Sequence, residues 1–113
     1  MLIDTHDYTP KLLAAIGKLG EAAPALLEGF DALDGAAARG GALDAKTREL
    51  IALAVAVTTR CDGCIAVHSA AAKKAGASRA ELAEALSVAI ALNAGAALVY
   101  SARAFDAFEQ QSS

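Results

Sequence analysis

Two thiols and an imidazole fall within eight residues of one another in the segment Arg60-Cys61-Asp62-Gly63-Cys64-Ile65-Ala66-Val67-His68. On a helix that turns about 100° per residue, Cys64 lies roughly 60° from Cys61, and His68 about 40° from Cys64. All three share a face, and the adjacent pair is Cys64 and His68 at i, i+4. An imidazole that activates a thiol in this arrangement therefore activates Cys64. Cys61 opens the segment, where the positive end of a helix dipole favours a thiolate. The i, i+3 spacing also suits a disulfide at a helix start, where the first turn can adjust to the required Cβ separation. Together these features describe a cycle. Cys64 attacks an oxidised substrate, Cys61 resolves the product to an internal disulfide, and an external thiol reductant restores the dithiol while His68 holds or relays the proton.

Other readings compete for the same residues. Free cysteines often serve as small core residues. Cys61, Cys64 and His68, with Glu49 as a fourth donor, could instead hold a metal. Structural zinc sites usually draw a second Cys or His pair from further along the chain; His6 is the only other histidine, and it lies near the N-terminus. Haem attachment requires a His directly after the second Cys, where Ile65 stands. No glycine loop for phosphate and no cofactor motif is present, so the expectation is no cofactor and no metal.

The elements that must position these groups read as helices. Ala accounts for 31 of the 113 residues; it loses no side-chain entropy on helix formation and ranks first in propensity. Val, Ile and Thr are too scattered to build a sheet. The pattern predicts an all-α chain of five to six helices in a single domain spanning 1–113. A first helix is expected from Thr9 to Gly20 with Pro10 in its opening turn, and a second from Pro24 to Ala38 before the Arg39-Gly40-Gly41 break. Asp44 reads as the N-cap of a third helix through Thr58, whose Leu50, Leu53, Ala54 and Val57 recur on one face. A fourth runs from Cys61 to Gly76, and Ser78-Arg79-Ala80-Glu81 is a capping box for a fifth. That helix is expected to stop near Asn93, with Gly95 as a break before a last helix to Glu109. Asn93, in an apolar stretch, needs a hydrogen-bond partner if buried.

The net charge of −3, with ten basic residues dispersed among thirteen acidic ones, excludes the concentrated basic face that nucleic acid requires. Leu2–Thr9 carries Asp4, His6 and Asp7 and does not read as a signal peptide. Ala85–Ala102 is uncharged and long enough to raise a membrane span. Because it contains Ser87, Asn93 and Ser101 and is largely Ala, it reads as a buried core helix, with no membrane expected. A two-cysteine chain without a secretory signal points to a reducing, cytoplasmic setting. Small side chains give little apolar area per residue, so association into a homo-oligomer is expected to supply the rest.

Three stretches carry a resemblance: Arg48-Glu49-Leu50-Ile51-Ala52-Leu53-Ala54-Val55, then Cys61 to His68, then Ala75-Gly76-Ala77-Ser78. From about Leu43 to Tyr100 the chain resembles the AhpD-like alkylhydroperoxidase branch of the carboxymuconolactone decarboxylase superfamily. The shared motif is a Glu, a CxxC twelve residues later, and a His four residues past the second Cys, met here by Glu49, Cys61, Cys64 and His68. The resemblance implies an AhpD-like helical fold assembling as a homotrimer or homohexamer. It also implies an antioxidant peroxidase or disulfide reductase acting on a small peroxide or disulfide substrate. In that scheme Cys64 is the peroxidatic thiol, Cys61 the resolving thiol, and Glu49 with His68 the proton relay. Without the resemblance, Glu49 reads as a surface charge beside Lys46 and Arg48. One position differs: well-characterised alkylhydroperoxidases carry a second His immediately before the second Cys, where this chain has Gly63. True carboxymuconolactone decarboxylases lack the cysteine pair, so with Cys61 and Cys64 present a non-redox decarboxylase is the less favoured alternative, beside a metal-binding or oligomeric binding protein.

Overall fold

Side-chain caps set four of the five helix starts in the computed structural model, which describes residues 1–112. Asp4 accepts hydrogen bonds from the backbone N–H groups of His6 and Asp7 and so opens α1, Thr5–Ala22. This start lies four residues before the expected one. Pro10 sits inside the helix rather than in its first turn, where it removes one backbone donor, and the Asp4 cap carries the helix past it. α2, Pro24–Ala38, begins on its proline and ends before Arg39 as the sequence pattern predicts. Asp44 caps α3, Ala45–Thr59, by accepting from the Thr47 N–H at 2.8 Å.

α3 ends in a left-handed residue. Arg60 has φ 56° and ψ 51°, the conformation glycine usually supplies at this point. The turn it makes sends the Cys61 N–H back to the Ala56 carbonyl and starts α4, Asp62–Lys74, one residue later. α4 closes in a Schellman arrangement at Gly76, with φ +89°, the Gly76 N–H on Lys73 O and the Ala77 N–H on Ala72 O. The Ser78–Glu81 capping box forms as expected, with both reciprocal bonds made.

α5 runs unbroken from Arg79 to Glu109, so Gly95 does not divide it. Backbone bonding continues through that glycine, and no tertiary neighbour approaches it within 4 Å to favour a break. The fold class is all-α with five helices and no strand among the described residues.

α3 is the central element and packs against α4 and α5, while α1 packs against α2 and α4. The buried side chains are Leu53 and Ala56 on α3, Ala66 and Ala72 on α4, and Ala89 on α5. Alanines at these positions let the helices approach closely but remove little area from water. The expectation that Ala85–Ala102 is a buried core helix is corrected. Only 6% of the apolar window of α5 is buried, because among the described residues α3 is the helix that packs substantially against it. Asn93 satisfies its amide by donating to Thr58 Oγ1 at 2.9 Å and to Ala89 O at 2.7 Å, which ties α5 to α3. At its N-terminal end, α5 is held to α3 by the Lys46–Glu81 ion pair at 2.8 Å.

Candidate active site

Cys61 and Cys64 form a disulfide across the N-terminus of α4, with Cα atoms 5.2 Å apart. Cys61 is the N-cap rather than part of the first turn, and its Sγ accepts from the Cys64 N–H at 3.1 Å. The backbone donor at this helix end therefore faces a sulfur. When the bond opens, a thiolate left on Cys61 has that amide as a ready hydrogen-bond donor. Both cysteines are half-buried. Arg60, immediately before them, acts through its backbone as the joint between α3 and α4.

One turn beyond Cys64, His68 Nδ1 lies 2.6 Å from Glu49 Oε2. The two side chains are 31% and 23% exposed, shielded enough for the bond to persist and open enough for a proton to leave. Glu49 sits early in α3 and His68 mid-way along α4, so the tight packing of these two helices brings the pair together across nineteen positions of sequence. A carboxylate on Nδ1 fixes the ring and leaves Nε2 to exchange protons with whatever lies beyond it. Of the four residues singled out from spacing and resemblance, Glu49 thus lies on α3, Cys64 and His68 lie on the facing α4, and Cys61 caps α4. Among the described residues, no group of three or more His, Cys, Asp and Glu side chains is arranged to hold a metal ion.

The pair opens onto a cleft of about 340 Å³ walled by Asp34, Ala37 and Ala38 from α2 and by Arg48 and Ala52 from α3. Arg48 is half-buried and donates from its guanidinium to the Leu43 carbonyl. Sequence reasoning places neither Asp34 nor Arg48 at the site. Arg48 has a signal in its adjacency to Glu49, whereas Asp34 arrives from a separate helix and has none.

A further neighbour comes from α1. A Cβ built on Gly63 would lie 2.5 Å from Leu12 Cδ2, so the Leu12 side chain fills the place that any larger residue between the cysteines would need. His6 is on α1, where it lines a second cleft with Leu13 and Val67.

The carboxymuconolactone decarboxylase family model matches residues 24–107. This chain belongs to that family. Among curated relatives, it is 55% identical to an uncharacterized protein of Haemophilus influenzae, with 98% of each chain aligned. It is 38% identical to an uncharacterized protein of Cupriavidus necator over 96% of each. The crystal structure of an apo carboxymuconolactone decarboxylase family protein from Legionella pneumophila superposes with a TM-score of 0.74 at 42% identity, covering 94% of this chain and 95% of that one. Family membership agrees with the all-helical fold and with a CxxC pair at bonding distance.

Proposed function

We propose that this family member is a thiol-dependent oxidoreductase that cycles the Cys61–Cys64 disulfide, with an alkylhydroperoxidase-like reaction as its chemistry. The observation that carries the proposal is the alignment of a bonded cysteine pair at the start of α4 with His68 one turn on, itself held by Glu49 at 2.6 Å. In the reduced protein, the Cys64 thiolate attacks one peroxide oxygen. The O–O bond breaks, and the departing alkoxide takes a proton relayed through His68 and leaves as an alcohol. Cys64 is now a sulfenic acid. The Cys61 thiolate attacks that sulfur, the S–S bond forms and water departs. Two electrons and two protons from an external dithiol then restore both thiols. Glu49 and His68 move protons and do not bond to substrate. A disulfide substrate would enter the same cycle at the exchange step. The cytoplasm, which is reducing, suits such a pair. The working unit is proposed to be a homotrimer or homohexamer.

Cys64→Ser should abolish peroxide-dependent turnover, while Cys61→Ser should stop at a sulfenic acid or a mixed disulfide that mass spectrometry detects. Full turnover in Cys64→Ser would overturn the role assignment.

A second reading has its own observation: the cleft contains Glu49, His68, Arg48 and Asp34, and neither sulfur is among its walls. That arrangement suits acid–base chemistry on a small acid or lactone, as in a decarboxylase. It predicts an activity that survives replacement of both cysteines, which the peroxidase reading forbids.

A further inference from the structure

The helical pair α1–α2 meets the site at two places. Near the middle of α1, Leu12 is seated on Gly63, between the cysteines. Near the end of α2, Asp34, Ala37 and Ala38 wall the cleft that holds His68. Yet neither helix has a buried residue. A segment that shields reactive groups while burying little of itself is held closed by a small free energy and opens locally at low cost. The pair joins α3 through Arg39-Gly40-Gly41, and Gly41 has φ +82°, a backbone state that only glycine adopts freely.

We propose that the α1–α2 pair is a lid over the thiol site, and that Leu12, seated on Gly63, sets which thiols reach the Cys61–Cys64 disulfide. The inference rests on reading that pair as one that exchanges with an external thiol. Exchange requires a thiolate to approach along the S–S axis. It bonds to one sulfur, the S–S bond breaks, and the other cysteine leaves as a thiolate. A second thiolate, from the same dithiol or another molecule, then attacks the mixed disulfide and frees the remaining cysteine. The two reductant protons end on Cys61 and Cys64, and the reductant is oxidised to its disulfide. With Leu12 against the first turn of α4 at Gly63, a slender dithiol reaches the bond more readily than a branched thiol does.

The test compares reduction of the oxidised full chain by dithiothreitol and by the bulkier glutathione, following free thiol release. Leu12→Ala should accelerate the glutathione reaction about tenfold and the dithiothreitol reaction by less than about threefold, since exchange rates depend on access to sulfur. Leu12→Met, which keeps the volume, should behave as the parent. Gly63→Ala inserts a methyl group under Leu12 and should shift the ratio in the same direction as Leu12→Ala. Because it raises helix propensity, it also decides the matter if Leu12→Ala loses helix content by circular dichroism. An unchanged ratio, or equal acceleration by both thiols, overturns the lid, since equal acceleration reports a loosened fold rather than a size filter. Peroxide-dependent thiol loss on the same samples separates the two ideas: if the ratio responds to Leu12 but peroxide consumes no thiol, the peroxidase reading falls and the lid stands.

Discussion

Glu49 shows how much one contact adds to a spacing pattern. As an isolated letter it is a charge among Lys46 and Arg48; across the α3–α4 interface it becomes the partner that orients His68. Glu49→Gln retains a hydrogen-bonding side chain but loses the charge that stabilises an imidazolium. Because Glu49 acts through His68, peroxide turnover should fall by up to about a hundredfold, the low end of general acid–base effects, while the two thiols remain titratable. His68→Ala should cost at least as much, and a rate equal to that of the parent in either variant would remove the relay from the mechanism. Away from the site, Glu81 makes a different kind of bond. The Lys46 ammonium, together with the Ser78 amide and hydroxyl, holds its carboxyl down at about 2. A carboxylate whose pKa falls on folding stabilises the native state above its unfolded value, and that contribution is lost as pH drops through the folded one. The difference in thermal midpoint between the parent and Glu81→Gln should accordingly be present at neutral pH and shrink between about pH 4.5 and pH 2. A gap that widened with acid would contradict the assignment.

At the scale of elements, the joint between α3 and α4 matters most, because it sets where Cys61 emerges. Arg60 occupies left-handed space there. Arg60→Gly should leave stability unchanged or raise it by up to about 1 kcal/mol, whereas Arg60→Val, β-branched at a positive φ, should lose about 1–2 kcal/mol by thermal or denaturant unfolding. Equal effects of the two would mean the backbone is not strained at this point. Several elements are legible from local signals alone. Pro24 and the Arg39-Gly40-Gly41 run bound α2, Asp44 caps α3, and Ser78 with Glu81 opens α5. The signals that mislead are glycine and proline read as punctuation. Pro10 puts the start of α1 too late, and Gly95 suggests a break that α5 passes through, since a single glycine costs a long helix only about 1 kcal/mol. The site follows the same division. Glu49, Cys61, Cys64 and His68 can be found from spacing within a known motif, whereas Leu12 reaches Gly63 only through the docking of α1. No sequence period marks a contact between positions so far apart.

The whole molecule is far from closed. Its radius of gyration is 18.5 Å, against about 13 Å for a compact domain of this length. It exposes 8734 Å², about 3,000 Å² more than a compact monomer of its mass. Part of the excess lies on the second half of α5, where Leu98, Val99, Tyr100, Phe105 and Phe108 are all exposed. The excess of about 3,000 Å² is larger than the roughly 800 Å² that each partner buries in a standard interface, and it supports the proposed homotrimer or homohexamer with other copies covering α5. Phe105→Glu with Phe108→Glu should shift the protein to smaller species in light scattering and lower its thermal midpoint. In the parent, the midpoint should rise with protein concentration, as mass action requires for a fold completed by association. A concentration-independent midpoint for a particle of one chain would contradict the oligomer.

The most direct test of the central claim is to count free thiols in the reduced protein before and after one equivalent of an alkyl hydroperoxide. The parent should lose two thiols for each peroxide consumed and regain both with dithiol, while Cys64→Ser should lose none. Thiols that stay at two while peroxide disappears, or that vanish as fast in Cys64→Ser as in the parent, would contradict the disulfide cycle.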